Sequence, residues 1–273
     1  MEENIPGYNN FRIAVPQAFE DVFSHFYFAE NKSDQIITKT LLPSFQTIMA
    51  FNFGAKPSFH SKQNTNIEVD KYLMLGPIKQ AFEYSLPPNT EILTVNFKDD
   101  AFYRFFGNVC MAEHVPMNPD ELLNEDCFTI LWHELNKISD VNLKVKHILN
   151  FCEPYLKNRN KVAEQLANFR EQTLNPIKSV ASQNSQTERN MQLNHKKHFG
   201  YSAKELSRYE RFLKAIDLIQ KLAPGTSKID WFDVVAECGY YDQSQMIHDF
   251  KHYINISPTK YVKFQQDICN PVT

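Results

Sequence analysis

Glycine is scarce in this chain, at seven of 273 residues, and this scarcity excludes several classes of enzyme. Loops that cradle phosphates depend on closely spaced glycines, and the sequence contains no P-loop, no G-x-G-x-x-G and no G-x-S-x-G. His133-Glu134 is not followed by the second histidine of a zinc-protease helix. The carboxylates at 120–126 fit a helix start, with Asn118 before Pro119. We therefore expect no catalytic residues and no enzymatic activity.

Paired cysteines and long apolar runs are absent as well. The five cysteines are an odd number without a C-x-x-C pair, which favours reduced thiols. No apolar run approaches the roughly 20 residues of a membrane span, and the N-terminal residues lack the basic and apolar regions of a signal peptide. We therefore expect a cytoplasmic protein with no membrane partner.

Two histidine pairs have a spacing that would allow a shared metal ion. They are His195 with His198 and His248 with His252. Neither pair has a carboxylate or thiol partner at a recognisable metal-site spacing. We therefore expect no metal and no other cofactor.

Charge is distributed unevenly along the chain. Residues 1–175 carry 16 Lys and Arg against 22 Asp and Glu, whereas residues 176–273 carry 13 against 10. A mildly basic C-terminal third beside an acidic remainder permits an anionic partner at that end.

The hydrophobic period changes near Asp99. Before it, aromatic and β-branched stretches broken by Pro, Gly and Asn predict short strands, and beyond it apolar residues recur three and four apart, as in amphipathic helices. The aromatic strand residues could line an apolar ligand pocket or pack in a core. The expected class is α+β. We expect a β-rich sensing or dimerisation domain with C-terminal helices at 1–155, a helical linker at 156–175 and an all-α domain at 176–273.

The C-terminal third contains an internal repeat with an offset of 55 residues. Val180-Ala181 matches Val235-Ala236, and Met191 matches Met246. The residue pattern of each copy predicts a short helix, a turn, a second helix and a Ser-capped third helix. The turn is expected at Asn184 in the first copy and at Gly239 in the second. This is the helix-turn-helix plan, in which the second helix enters a DNA groove. A 20-residue helix at 203–222 spans about 30 Å, so it could hold two units roughly one groove turn of ~34 Å apart.

The second helix of the second copy, Asp242–Tyr253, separates into two faces on a helical wheel. Met246, Ile247, Phe250 and Tyr253 share the packed face. The opposite face carries Gln, Ser and His side chains, which pair with base edges in the major groove.

AECGYYDQSQMIHDFKHYINISPTKYVK closely resembles the second helix-turn-helix of the AraC/XylS-type transcription regulators. TERNMQLNHKKHFGYSAKELSRYERFLKAIDLI resembles the first unit and linker helix of that family. Residues 35–110 look more loosely like the amino-terminal domain of some of its members. The resemblance implies a bacterial regulator that reads double-stranded DNA with helices near 187–199 and 242–253. A small-molecule or protein effector at the amino-terminal domain and a homodimer are further possibilities.

The resemblance also implies which residues contact DNA. Helix N-termini and lysines suit phosphates in any case. The implied base-reading residues are Gln243, Ser244, Gln245, His248, Arg189, Asn190 and Gln192, and the implied phosphate contacts are Lys196, Lys197, Lys251, Ser257 and Lys260.

The first unit departs from the family pattern. His195 stands where a core Phe is usual, and residues 184–186 replace Leu-Gly-Leu. His248 in the second unit replaces a frequent Arg. We expect the second unit to carry more specificity than the first. The alternative is a non-catalytic protein-interaction module that kept the fold but lost DNA binding.

Overall fold

The computed structural model describes residues 5–60, 66–107, 115–169, 175–222, 229–264 and 268–269. A β-rich amino-terminal part precedes a helical carboxy-terminal part, which confirms the predicted fold class. In these ranges no helix is long and apolar enough to cross a membrane.

The strands form two sheets. They are β1 Tyr8–Ile13, β2 Phe23–Asn31, β3 Ile37–Leu41, β4 Thr47–Asn52, β5 Ser58–His60, β6 Asn66–Glu68, β7 Tyr72–Leu75, β8 Phe82–Leu86, β9 Thr90–Phe97 and β10 Ile268–Cys269. The first sheet has the order β1-β2-β9-β4-β7, and the second has the order β10-β3-β8-β5-β6. Neighbouring strands are antiparallel except for β10, which pairs parallel with β3.

The helices follow from the end of β9. They are α1 Ala101–Phe106, α2 Pro119–Leu123, α3 Cys127–Leu135, α4 Val141–Cys152, α5 Lys161–Ala167, α6 Pro176–Gln183, α7 Glu188–Phe199, α8 Ala203–Leu222, α9 Trp231–Cys238, α10 Gln243–Ile254 and α11 Pro258–Phe264.

The first sheet is covered on both faces, so β4, which lies between β9 and β7, is buried at every position. One face, with Ile48 and Ala50, packs against the second sheet. The other face, with Met49 and Phe51, packs against α1, α3 and α4. Alternate residues of one strand therefore enter two different cores, as the two-residue period of a strand requires.

The helical part has the 55-residue repeat in the same register as the sequence. Helices α6 and α9 end at positions 183 and 238, while α7 and α10 occupy 188–199 and 243–254. Gly200 and Asn255 end the second helices with φ values of 78° and 62°. We call α6–α7 the first unit and α9–α10 the second unit.

The turn inside the first unit differs from the expected one. Gly239 has the left-handed conformation at φ 76°, but Asn184 has φ −104° and the left-handed residue is Ser185 at φ 53°. The Asn184 side chain donates to the Val180 carbonyl at 2.8 Å and to Gln165 at 2.7 Å. Because these bonds hold Asn184 in a right-handed conformation, the turn forms one residue later.

The long helix α8 serves both units. Ser202 and Glu205 cap its start reciprocally, and Phe212 packs against Phe250 of α10 with ring centroids 5.1 Å apart. Phe212 lies nine residues beyond the helix start, or about 14 Å along its axis. The second unit therefore contacts α8 near the middle of the helix. Helix α5, in the segment expected to be a linker, packs in the same core as both units.

The amino-terminal part contacts the helices through Phe45, in the loop before β4. Its ring stacks on Tyr209 of α8 at 4.4 Å and meets the edges of Tyr201 and Tyr253 at 5.1 and 6.3 Å. The Tyr209 hydroxyl donates to the Pro43 carbonyl.

An ion pair adds to this contact, because Lys79 Nζ lies 2.8 Å from Glu205 Oε1. Burial alone would raise the pKa of Glu205, but the hydrogen bonds from Lys79 and Ser202 outweigh it and lower the pKa to about 2. The carboxylate is therefore charged wherever the protein is folded near neutral pH.

Replacing Phe45 by Ala should lower the free energy of unfolding by about 3 kcal/mol, because a ring that is 7% exposed is removed from between three aromatic rings. Urea denaturation measures the loss. Phe11→Ala is the control, since Phe11 is 38% exposed and should cost much less. Equal losses for the two variants would contradict the packing role of Phe45.

Candidate nucleic-acid interface

Helix α10 begins with a reciprocal cap. The Asp242 carboxylate accepts from the backbone N–H of Gln245 at 2.7 Å, and the Gln245 side-chain oxygen accepts from the backbone N–H of Tyr241 at 2.9 Å. The amide oxygen of Gln245 is thus used within the helix start, and its NH₂ group is left for contacts outside.

The burial of side chains on α10 agrees with the helical wheel except at one residue. Met246 and Phe250 are fully buried, whereas Gln243, Ser244 and His248 are exposed. Asp249, which the wheel places on a flank, is only 1% exposed. Its burial is due to partners on α8, which a wheel of α10 alone does not include.

Asp249 fixes α10 to α8 through two arginines. Arg208 Nε lies 2.6 Å from Oδ1 and Arg211 Nη2 lies 2.9 Å from Oδ2. The Arg211 guanidinium also lies over the Tyr240 ring at 4.5 Å. Because a buried carboxylate without partners would cost several kcal/mol, these pairs set the position of α10 on α8.

Arg208 also contacts a candidate reading residue. Its Nη2 lies 3.0 Å from Nδ1 of His248, and its guanidinium lies 5.6 Å from the Tyr253 ring centroid. One arginine of α8 therefore holds the buried carboxylate and the exposed imidazole of α10 together.

In the first unit, α7 starts at the cap Thr187, which accepts from the N–H of Asn190. Arg189, Asn190 and Gln192 are exposed on the first two turns. The Asn190 amide donates to Gln186 at 3.0 Å, so part of its hydrogen-bonding capacity is used before any ligand binds.

The core position of α7 that departs from the family pattern is well packed. His195 is 4% exposed, its Nδ1 lies 2.8 Å from the Tyr201 carbonyl, and its ring lies 4.6 Å from Phe199. Burial lowers the pKa of His195, despite the opposing effect of that hydrogen bond. A neutral imidazole that donates to Tyr201 therefore takes the place of a phenyl ring.

The expected phosphate contacts lie at helix ends. Lys196 and Lys197 are exposed in the last turn of α7, and Lys197 Nζ lies 5.6 Å from the Tyr103 ring of α1. Lys251 and Lys260 are exposed. The remaining residue, Ser257, uses its hydroxyl to accept from the N–H of Lys260 at 3.2 Å.

A cleft of about 710 Å³ lies between α7 and α10. Gln192 contributes to it from the first unit, and Gln245 and His248 contribute from the second. Arg208 and Arg211 of α8 line it as well. Candidate reading residues of both units therefore face one concave, arginine-bearing surface.

Two arginines of this surface, Arg208 and Arg211, and one exposed residue of α7 outside the cleft lining, Leu193, were not predicted from the sequence. Leu193, on the exposed side of α7, is 62% exposed, and it is the residue that the 55-residue offset pairs with His248. Carrying the offset through the whole helix would have found it. Arg208 and Arg211 have no such signal, since their role depends on contacts with residues 38 to 41 positions away.

A second cavity, of about 620 Å³, lies in the amino-terminal part. Ile48, Phe59 and Ile92 line its apolar wall, and Tyr209 and Leu213 of α8 contribute from the helical part. Of the aromatic strand residues, Phe23, Phe26 and Phe51 pack in the helix-covered core, while Tyr27 lines the cavity.

One end of this cavity is polar. Arg12, Ser24, His25 and Gln46 lie there, and the Ser24 hydroxyl donates to Gln46 at 2.8 Å. Burial, with a smaller effect of Arg12, lowers the pKa of His25 to about 4. His25 is therefore uncharged near neutral pH, and Arg12 supplies positive charge to the cavity.

No family model matches the chain, and neither does any curated protein. Among solved structures, the chain is similar to ToxT from Vibrio cholerae, with 12% identity, 94% of this chain and 98% of that chain covered, and a TM-score of 0.40. It is also similar to unsaturated fatty acid bound ToxT, with 11% identity, 96% and 97% covered, and a TM-score of 0.38. The iron(II) form of HppE matches 36% of this chain and 53% of its own, at 8% identity and a TM-score of 0.29.

The free energy of unfolding should fall as the pH drops from 7.5 to 5.5, because unfolded His195 takes up a proton near pH 6.5 while the folded, buried ring with its lowered pKa does not. Urea denaturation at both pH values measures this dependence. In His195→Phe the dependence should be weaker, even if the lost hydrogen bond to Tyr201 lowers stability at both pH values. His25 and His198, whose pKa values are also lowered by burial, are present in both proteins and cancel. An unchanged pH dependence in His195→Phe would show that His195 is not protected from protonation by folding.

Proposed function

We propose that this protein is a sequence-specific regulator of transcription of the AraC type that binds double-stranded DNA through its two helix-turn-helix units. The observation that carries the proposal is the identical register of the units. Each presents exposed polar side chains from the first two turns of its second helix, α7 or α10. Those turns are the part of a recognition helix that meets base edges in the major groove.

The chemistry of the exposed residues supports base reading. Gln243 of α10 and Gln192 of α7 carry side-chain amides that pair with adenine, and Ser244 can pair with several bases. Arg189 is suited to guanine. Gln245, His248 and Asn190 complete the proposed set, with Gln245 and Asn190 already bonded on one side.

The charges support phosphate binding around the base-reading residues. Lys196 and Lys197 end α7, Lys251 lies in the last turn of α10, and Lys260 lies in α11 beside its cap Ser257. Each phosphate contact contributes about −0.9 to the slope of log affinity against log salt concentration. Affinity should therefore fall steeply with salt.

A contact between the two parts of the chain favours a second candidate function. Tyr103 of α1 lies 4.3 Å from the His198 ring of α7, so the amino-terminal part covers one end of the first unit. A protein-interaction module that kept the fold but lost DNA binding would tolerate this cover. Absence of any DNA affinity at low salt would select this candidate.

Gln243→Ala should weaken binding to the specific site by about 1–3 kcal/mol and leave non-specific binding nearly unchanged, because it removes a base contact. Lys251→Ala should weaken binding to all DNA sequences alike, and it should reduce the slope of log affinity against log salt concentration by about 1. Fluorescence anisotropy with fragments selected from the source genome measures both effects. Gln183→Ala, an exposed glutamine at the end of α6, is the matched control. Equal losses on every sequence for both variants would refute the assigned roles.

We also propose that residues 1–155 form an effector domain joined through 156–175 to the DNA-binding domain at 176–273. The cavity in the amino-terminal part supports this division of labour, because its wall includes Tyr209 and Leu213 of α8. An occupant would touch the helix that carries α10. The apolar wall and the Arg12 end suit a small apolar molecule with an anionic group.

Anilinonaphthalene sulfonate, an apolar anion, is a suitable probe of the cavity. Leu213→Trp should weaken its binding by about tenfold, or roughly 1.4 kcal/mol, because the indole occupies cavity space. Leu218→Trp is the control, since Leu218 also lies on α8 and packs against the same core, but only Leu213 lines the cavity. Probe fluorescence measures binding, and anisotropy in its presence measures any change in DNA affinity. Equal binding by the two variants would show that the probe binds elsewhere.

A further inference from the structure

We propose that Arg208 of α8 is a positioning residue that holds the His248 imidazole as its Nε2–H tautomer, so that His248 reads only hydrogen-bond acceptors on a base edge. The reading role rests on the proposed DNA-binding function. The effect of Arg208 on the tautomer does not, because it follows from contacts within the protein.

The direction of the hydrogen bond decides the tautomer. A guanidinium has only N–H donors and no acceptor. The contact of 3.0 Å between Arg208 Nη2 and His248 Nδ1 therefore requires a lone pair on Nδ1. In the neutral ring the proton then lies on Nε2, which becomes a donor.

Arg208 is itself held in place on two other sides. Its Nε binds the buried carboxylate of Asp249 at 2.6 Å, and its guanidinium lies 5.6 Å from the Tyr253 ring centroid. The donor that reaches His248 is therefore fixed by the same contacts that seat α10 on α8. A flexible lysine at this position would supply charge without the planar fork that spans the two residues.

A donor at Nε2 restricts the bases that His248 can read. In the major groove guanine offers N7 and O6, adenine offers N7 and thymine offers O4, whereas cytosine presents a donor. Guanine, with two acceptors and no donor at that edge, suits this side chain best. Cytosine at the same position would leave two donors facing each other.

The first unit lacks this arrangement. The 55-residue offset pairs His248 with Leu193 and Asp249 with Asn194, so neither the imidazole nor the carboxylate is present in α7. The proposed device therefore belongs to the second unit alone, and it gives that unit a base preference that the repeat does not duplicate.

The tautomer can be measured without DNA. Two-dimensional NMR of ¹⁵N-histidine-labelled full-length protein at pH 8 distinguishes the two ring nitrogens, and His248→Gln identifies the His248 signals. The wild-type protein should show the Nε2–H form alone, whereas Arg208→Met should show both tautomers. Arg211→Met is the matched control, because Arg211 is also an arginine of α8 that pairs with Asp249. Its contacts are with Asp249 and the Tyr240 ring rather than with His248. It should match the wild type. An Nδ1–H form in the wild type, or identical spectra for the wild type and Arg208→Met, would overturn the proposal.

The reading role is tested on DNA fragments selected for binding. Replacing the contacted purine by its 7-deaza analogue, which lacks the N7 acceptor, should weaken wild-type binding about three- to tenfold. In His248→Ala, the analogue should bind no more weakly than the natural purine. The ratio of affinity for the natural purine to affinity for the analogue should be smaller in Arg208→Met than in Arg211→Met. If no purine replacement affects the wild type although it binds selectively, the reading role of His248 is refuted. If the protein binds no DNA selectively, the proposed function fails with it, while the tautomer spectra still decide the role of Arg208.

Discussion

The buried carboxylate of Asp249 is the constraint on which the arrangement of the second unit depends. It is 1% exposed and meets two arginines of α8 at 2.6 and 2.9 Å. Taking a carboxylate out of water is costly unless partners with good geometry replace its hydration. Helix α10 therefore cannot rotate on α8 without breaking both pairs. The further contacts of Arg208 with His248 and of Arg211 with Tyr240 extend this constraint to the exposed face of α10 and to the turn before it.

A neighbouring side of α8 brings the amino-terminal part into the same arrangement. Tyr209 follows Arg208 directly in sequence, yet it stacks on Phe45 and lines the cavity between the sheets. The side chains of Arg208 and Tyr209 point in directions that differ by one helical step of about 100°. A molecule that displaced Tyr209 would have to repack Phe45 or shift α8, and a shift of α8 acts on Asp249. This connection is a contiguous series of packed side chains and ion pairs, which is one kind of network that carries energetic coupling between distant sites.

Local patterns in the sequence were sufficient to predict the class of fold, the register of the repeat and the buried residues of α10. Met246 and Phe250 could be assigned from a helical period alone because their burial depends on that period. The burial of Asp249 could not, because its partners lie on another helix, 38 and 41 residues earlier. The turn at Ser185 was missed for a similar reason, since a side-chain bond from Asn184 to Gln165 of α5 helps to fix it. The cavity depends on how two sheets and α8 meet, which no single segment encodes.

The two units hold their second helices in the same register by different physical means. In the second unit, an ion-pair cluster of Asp249 with two arginines fixes α10. In the first unit, His195 in the core and its bond to the Tyr201 carbonyl tie α7 to the start of α8, and α1 adds a contact at Tyr103. Charge-assisted ion pairs demand a defined geometry and are roughly twice as strong as a neutral hydrogen bond such as that of His195. A movement of the amino-terminal part, which contacts α7 at Tyr103, would therefore displace α7 more readily than α10.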